Sequence, residues 1–363
     1  MKKFHLSWLA AAATAMLVAC SGGGEGDQSP RVEYGKMVTF GDSLSDVGSY
    51  NVGVVQSFGG GRYTINTGDA VNWTELLSTT LGLEALCAAQ TGLNSVAELG
   101  GPVATVNHEG CYSYAQGGAR VTNPVGPGNA ALLALGDEGG ALGQLTKPIV
   151  EQIGRHLAAV GGSFAADDLV TVMAGGNDLF MQLAAFEAMV GAGMPADQAS
   201  EAVVTAMGQA GGELAAYVKT MIVANGAKRV VVVNVPDAAK APAFLSSSDT
   251  QALVTAMLTT FNGQLAAGLA GTEDNVLLVD SYTVSQDQAA HPAQYGLTNV
   301  TTPACDLTGA LASLPTSLVC TTDTLVAGVT ETWQYADTVH PTPYGYKLLA
   351  QLVTAEMSKK GWL

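Results

Sequence analysis

The segment Val38–Asp46 reads VTFGDSLSD and decides the fold. It begins within the apolar run Met37–Phe40, which is typical of a buried parallel strand, and a glycine and polar residues follow at once. Ser43 is therefore expected just beyond the carboxyl end of a first strand, where open α/β sheets bind their ligands. The residues from Leu44 onward could begin a helix, whose amino terminus favours negative charge.

Four more short apolar runs are interpreted as strands. They cover Tyr112–Ala115, Leu169–Ala174, Arg229–Val235 and Asn275–Asp280. Segments with helical periodicity lie between and around them, at residues 71–81, 145–160, 179–190, 199–224 and 250–269. Because strands and helices alternate, the sequence predicts a parallel sheet covered by helices on both faces.

A last helix is predicted over Lys347–Lys359, with Thr342 as its N-cap and Pro343 at its first position. Two long segments, Ser45–Gly110 with one helix only and Tyr282–Ala336, have no clear place in the predicted sheet. Insertions of this kind usually lie on the ligand side of open α/β folds.

The amino terminus is typical of an exported lipoprotein. Residues 1–19 carry two lysines and an apolar run that ends in Leu-Val-Ala directly before Cys20, the pattern of a signal peptide with a lipobox. The run is shorter than the roughly 20 residues that a membrane-spanning helix needs. We expect lipidation of Cys20, a flexible tether over residues 20–33 and a folded domain over 34–363. This predicts a bacterial cell-envelope protein. By resemblance to the enterobacterial sorting rule, Ser21 after the lipidated cysteine favours the outer membrane and leaves the periplasmic or surface side open.

Composition narrows the class of protein further. Hydrophobic residues make up 48% of the chain and charged residues 13%, which is typical of a well-buried globular protein. The net charge of −16 argues against a nucleic-acid partner. No phosphate-binding loop, dinucleotide fingerprint or metal-ligand spacing occurs, so neither a metal nor a cofactor is expected.

Four cysteines follow Cys20, an even number in an exported chain, and they predict two disulfides. They are Cys87, Cys111, Cys305 and Cys320. Three pairings are possible, but pairing sequence neighbours, Cys87 with Cys111 and Cys305 with Cys320, closes short loops worth about 3 kcal/mol each. The loop between Cys305 and Cys320 precedes Asp337 closely and is expected to border the ligand cleft.

Three polar motifs share the position of Ser43 at the ends of predicted strands or before the last helix. They are YAQGGA at 114–119, AGGND at 174–178 and ADTVHP at 336–341. Each alone could be a turn or a helix cap. Together they place a glycine amide, the Asn177 carboxamide and an Asp337–His340 pair at one sheet edge, which are the groups that a serine nucleophile requires.

The other histidines are weaker candidates for the base. His291, with Asp287 four residues before it, is the main competitor of His340. His156 falls in a helical pattern, where we expect a solvated surface position.

The four motifs in this order resemble the blocks of the SGNH hydrolases, also called GDSL lipases and esterases, in their bacterial secreted lipoprotein branch. The resemblance implies a flavodoxin-like three-layer α/β/α sandwich with a five-stranded parallel sheet. It also implies an esterase in which Ser43 is the nucleophile, His340 the base and Asp337 its partner. The implied oxyanion donors are the amides of Ser43 and Gly118 and the side chain of Asn177.

The expected partner is a small-molecule or lipid ester, bound by a monomer that is attached to the membrane only through its lipid anchor. An acyltransferase or a polysaccharide deacetylase using the same site remains an alternative. So does an envelope binding protein that keeps the fold without catalysis.

Overall fold

The computed structural model describes residues 32–68 and 71–363. The predicted signal peptide, Cys20 and most of the predicted tether lie outside the described residues. In chain order the elements are β1 (Lys36–Gly41), α1 (Gly53–Ser57), α2 (Trp73–Thr80), β2 (Gln90–Leu93), β3 (Val103–Asn107), α3 (Ile149–Ala159), β4 (Asp168–Met173), α4 (Gly176–Gly191), α5 (Ala196–Tyr217), β5 (Arg229–Val233), α6 (Ser248–Leu269), β6 (Val276–Val279), α7 (Ser281–Ala290) and α8 (Pro343–Lys360).

The central sheet is parallel, as the alternation of strands and helices predicts, and its strand order is β1-β4-β5-β6. Its strands are buried on both faces. Val38, Phe40 and Val172 pack on one face with α3, α5 and α6. Met37 and Val231 pack on the other with α2 and α8. The fold is therefore a three-layer α/β/α sandwich.

The prediction of a fifth strand is wrong in detail. Residues 112–115 run beside β1, and the Thr39 amide donates to the Tyr112 carbonyl at 3.0 Å, but the pairing is a single bridge between Thr39 and Ser113. A disulfide at Cys111 and a glycine turn from Gln116 leave too few residues between them for a longer ladder. The regular sheet accordingly has four strands.

No helix begins after Ser43, contrary to the prediction. The Leu44 amide donates to the Asp42 carboxylate at 3.0 Å, and Asp46 accepts from the amides of Gly48 and Ser49 at 2.9 and 2.7 Å. Gly48 has a φ of +123°, which a helix cannot accommodate. These side-chain bonds to the backbone hold a compact turn instead.

The last helix is confirmed. Thr342 caps α8 by accepting from the Gly345 amide at 3.2 Å, and Pro343 is its first residue. Within the described residues no helix is long and apolar enough to span a membrane.

The two insertions contain more regular structure than predicted. Segment 45–110 holds α1, α2 and the antiparallel pair β2–β3, and segment 282–336 contains almost all of α7. Both predicted disulfide pairings are present, Cys87 with Cys111 and Cys305 with Cys320. The second disulfide belongs to a separate apolar cluster in which Tyr50 and Tyr63 also pack.

Candidate active site

Ser43 and His340 meet at the carboxyl edge of β1. His340 Nε2 lies 2.9 Å from Ser43 Oγ, although 297 residues separate them in the chain. Ser43 is 8% exposed. The pair is therefore in hydrogen-bond contact inside a shielded site.

Asp337 lies directly behind the imidazole. Its Oδ2 is 2.7 Å from His340 Nδ1 and accepts from the Ser317 amide at 3.0 Å, while its Oδ1 accepts from the amides of Val339 and His340 at 2.9 and 2.8 Å. Burial opposes the charge of Asp337, but the His340 ring and these donors hold its pKa well below the usual range. Because the carboxylate is ionised, Nδ1 carries the shared proton and Nε2 is left to accept one from Ser43.

The turn 336–341 is held in place from both sides. The Ala336 amide donates to the His340 carbonyl at 2.8 Å. The Tyr63 ring lies against the His340 ring with centroids 4.8 Å apart, and the Tyr63 hydroxyl donates to Gln144 at 2.8 Å. These contacts fix the position of the imidazole.

The glycine turn after residue 116 is tied to the two neighbouring motifs. The Gly117 amide donates to Asp46 Oδ2 at 2.9 Å, so this amide is not free for a ligand. Asn177 Nδ2 donates one hydrogen to the Ala119 carbonyl at 2.9 Å and keeps a second. Asp178 accepts from the Val121 amide and from Arg120, both at 3.0 Å.

The predicted oxyanion donors are available. Among the described residues neither the Ser43 amide nor the Gly118 amide has an acceptor. Gly118 has a φ of +78°, and a side chain there would collide with the Pro127 carbonyl and the Thr146 side chain. Only glycine therefore allows this amide its present direction.

A cleft opens beside Ser43, Asn177 and His340, between α4, α7, α8 and the loop after β5. Its apolar lining includes Leu179, Phe180, Val235, Val284, Leu348 and Leu352. Asp42 is a carboxyl in the same wall, and burial raises its pKa to about 7. Asp42 would contribute to a pH–rate profile near neutrality, so the base is best assigned by substitution.

The competing histidines do not reach Ser43. His291 pairs with Asp287 at 2.8 Å on the exposed surface, and neither residue lines the cleft. His156 is fully buried, contrary to the expected surface position. It packs against Phe40 and Phe164, because α3 turns this face onto the sheet.

Gln152 was not identified from the sequence as a residue that positions the site. Gln152 is fully buried, accepts from the Gly41 amide at 2.9 Å and donates to the Gly41 carbonyl at 2.8 Å, which holds the end of β1 next to Ser43. Its spacing of four from His156 places both residues on one helix face, but the sequence does not show that this face is buried.

The loop between Cys305 and Cys320 contacts the site from behind. Its Ser317 amide reaches Asp337, but none of its residues lines the cleft, so the prediction that this loop borders the cleft is wrong. Trp73 is fully buried and donates to Ser45 Oγ at 3.2 Å, and it does not line the cleft. Within the described residues there is no cluster of three metal-ligating side chains.

The chain belongs to the family of GDSL-like lipases and acylhydrolases, whose family model matches residues 37–353. It is accordingly a carboxylic ester hydrolase. No curated protein matches the chain in sequence.

Several solved structures are similar to this chain at low identity. An α/β hydrolase enzyme, LAE5, from the metagenome of Lake Arreo covers 91% of this chain and 98% of its own at 13% identity and a TM-score of 0.41. The extracellular lipase of Streptomyces rimosus covers 88% and 99% at 15% identity and a TM-score of 0.41. A catalytic mutant of an acetylxylan esterase from Geobacillus stearothermophilus covers 90% and 95% at 15% identity and a TM-score of 0.36. These likenesses are too distant to bear on the substrate.

Proposed function

We propose that the protein hydrolyses carboxylic esters through an acyl-enzyme on Ser43, with His340 as general base and Asp337 as its orienting partner. The observation that carries the proposal is the continuous chain of contacts from Asp337 Oδ2 through the His340 ring to Ser43 Oγ, at 2.7 and 2.9 Å. Both distances are within the range over which a proton moves along a hydrogen bond.

In the first step His340 Nε2 takes the Ser43 hydroxyl proton while Oγ bonds to the ester carbonyl carbon. The carbonyl electron pair moves onto its oxygen as the tetrahedral intermediate forms. When the intermediate collapses, the bond to the alcohol oxygen breaks and the leaving alkoxide takes the proton from His340. Water then repeats the sequence on the acyl-enzyme: His340 takes its proton, the acid leaves and Ser43 regains its hydrogen.

Three donors are proposed to stabilise the negative oxygen: the Ser43 amide, the Gly118 amide and the second hydrogen of Asn177 Nδ2. The first two lack acceptors among the described residues, and the third belongs to a side chain fixed by its bond to the Ala119 carbonyl. Fixed donors of this kind stabilise the transition state because they need no reorientation when charge develops.

The cleft favours an ester with one apolar arm. Its apolar walls beside Ser43 come mainly from aliphatic and aromatic side chains of α4 and α8, whereas α7 contributes Val284 together with polar residues. Burying a methylene group there contributes about 0.8 kcal/mol, so each added carbon should improve binding until the cleft is filled.

The acyl acceptor distinguishes this proposal from the acyltransferase alternative. If an added alcohol reaches the acyl-enzyme in place of water, a new ester appears among the products. If the protein hydrolyses acetylated sugars faster than p-nitrophenyl esters, that result would instead favour a polysaccharide deacetylase.

We further propose that Cys20 carries the lipid anchor in the cell envelope and places the enzyme in the secreted lipoprotein branch of its family. The lipobox in the sequence supports this. Cells fed labelled palmitate should label the wild type and not Cys20→Ala. Equal labelling of both would contradict the anchor.

The deciding experiment is a chain-length series of p-nitrophenyl esters, together with a phospholipid, on wild type and Ser43→Ala. We expect the variant to lose turnover and labelling by a fluorophosphonate, while Ser200→Ala, a serine on α5, keeps both. Persistent turnover by Ser43→Ala would overturn the proposal. A wild type that neither labels nor turns over esters would favour a non-catalytic binding protein.

A further inference from the structure

A buried tyrosine holds the peptide group that joins Gly117 to Gly118. Tyr50 is fully buried, and its hydroxyl donates to the Gly117 carbonyl oxygen at 2.7 Å. The same hydroxyl oxygen accepts from the Thr146 amide at 3.2 Å. A phenol has only one hydrogen, so the bond from Thr146 leaves that hydrogen to Gly117.

The planar peptide bond couples this contact to the direction of the Gly118 amide. In a planar trans peptide the carbonyl of one residue and the amide of the next point in opposite directions. The described chain has no cis peptide, so the Gly118 N–H points away from the carbonyl that Tyr50 binds. Whatever fixes the Gly117 carbonyl also fixes the direction of the Gly118 amide.

We infer that Tyr50 is a positioning residue for ester hydrolysis, which aims the Gly118 amide at the oxyanion. The inference rests on the proposed function, in which that amide is a donor. Gly118 has a φ of +78° and no side chain to restrain it, so its direction depends on the neighbouring bonds. Asp46 holds the preceding peptide group through the Gly117 amide. Tyr50 holds the next peptide group, which joins Gly117 to Gly118 and carries the proposed donor.

The hydrogen bonds also act in series. The Thr146 amide donates to the Tyr50 hydroxyl, the hydroxyl donates to the Gly117 carbonyl, and the same peptide presents the Gly118 N–H. Each bond in such a chain polarises the next, which makes the final amide a stronger donor.

Thr146 supplies a second, independent observation. It is the one residue other than glycine with a positive φ, +49°, among those that the structure describes. A β-branched residue is strained in this region, and such strain persists where the surroundings impose it, often at functional sites. Thr146 Oγ1 bonds to the Pro124 carbonyl and to Asn129 Nδ2, both at 2.7 Å, and these bonds hold the strained residue in place.

The experiment compares an ester with its thionoester, in which sulfur replaces the carbonyl oxygen. Sulfur is a poor hydrogen-bond acceptor, so the ester gains more from aimed donors than the thionoester does. The variant is Tyr50→Phe, which keeps the ring. The matched control is Tyr34→Phe, which also loses a hydroxyl bonded to a backbone carbonyl, that of Trp362 at 2.9 Å, outside the cleft.

Complete loss of one oxyanion donor lowers kcat about 10² to 10³-fold, and a misdirected donor should cost part of that. We expect Tyr50→Phe to lower kcat for the ester roughly 10- to 100-fold, with KM changed less than about threefold. The ratio of ester to thionoester turnover should fall with it. Tyr34→Phe should change neither quantity.

If the role of Tyr50 were purely structural, Tyr50→Phe would lower kcat equally for the ester and the thionoester. The ratio of the two would then be unchanged, and that result would overturn the inference. Should Tyr50→Phe fail to fold, Tyr50→3-fluorotyrosine keeps the ring and strengthens the donor. It should keep or raise the ratio, and a fall would count against the inference. A wild type without ester turnover would overturn the proposed function, and this inference with it; an active wild type with an unchanged ratio overturns only the role of Tyr50.

Discussion

Replacing the carboxylate behind the imidazole should disable the enzyme through the histidine tautomer. Asp337 accepts four hydrogen bonds, two at each oxygen. In Asp337→Asn only one of the two positions can hold an oxygen. The amides of Val339 and His340 are fixed by the backbone of the turn, so the oxygen should stay with them and the NH2 group should face His340.

This orientation reverses the proton arrangement of the ring. The Asn NH2 group donates to Nδ1, so the remaining imidazole proton moves to Nε2, where it points at Ser43 Oγ, 2.9 Å away. A histidine that donates to the nucleophile cannot be its base. In a serine protease the same change lowers kcat about 10⁴-fold, which corresponds to about 5 kcal/mol in the barrier, and we expect a similar loss here.

The assay is the steady-state turnover of p-nitrophenyl acetate by wild type and Asp337→Asn, with urea unfolding of both to check the fold. Asp287→Asn is the matched control, because Asp287 makes a contact of similar length, 2.8 Å, to Nδ1 of the exposed His291. We expect the control to keep wild-type turnover. A folded Asp337→Asn that retained more than about a tenth of wild-type kcat would refute the assigned role of Asp337.

Three further predictions concern the oxyanion, pH and the second disulfide. Asn177→Ala should stay folded while kcat for ester hydrolysis falls about 10² to 10³-fold. A steady-state kcat lowered by less than about threefold would contradict the role of Asn177 as a donor. Burial lowers the pKa of His156 to about 4 from an ordinary value of about 6.5, so the fold should lose up to roughly 3 kcal/mol as pH falls through that window. His156→Phe should remove this part of the pH dependence in urea unfolding at pH 7.5 and 5; an unchanged difference would be contrary evidence. The double substitution Cys305→Ser and Cys320→Ser should lower the free energy of unfolding by about 3 kcal/mol. It should also reduce kcat, because the loop that carries the Ser317 amide to Asp337 is released. Wild-type kcat in this variant would show that the loop does not support the site.

Much of the fold could be predicted because its signals are local. A strand buried on both faces is a continuous apolar run, and β1, β4, β5 and β6 all begin and end within two residues of their predicted bounds. Parallel strands bring their carboxyl ends to one edge, so motifs that follow different strands could be placed together before their contacts were known. The disulfide pairings were also within reach, because each closes a short local loop.

The sequence-based predictions were wrong where the local sequence pattern favours one structure and the tertiary packing imposes another. Residues 112–115 have the composition of a strand, but a disulfide and a glycine turn leave only one bridge to β1. Ser43 precedes a turn instead of a helix because Asp46 binds the following amides. His156 was expected at the surface because helical periodicity alone does not say which face the sheet will cover.

By itself the sequence determined the class of fold, the edge of the sheet at which the site lies and the residue types that form it. Only the tertiary structure shows which of two similar Asp–His pairs contacts Ser43: His291 and His340 each contact a carboxylate, and of the two only His340 reaches Ser43. The contact of Tyr50 with Gly117 likewise spans 67 residues. Spacing along the chain reports near neighbours, whereas contacts over such separations depend on how the layers and insertions pack.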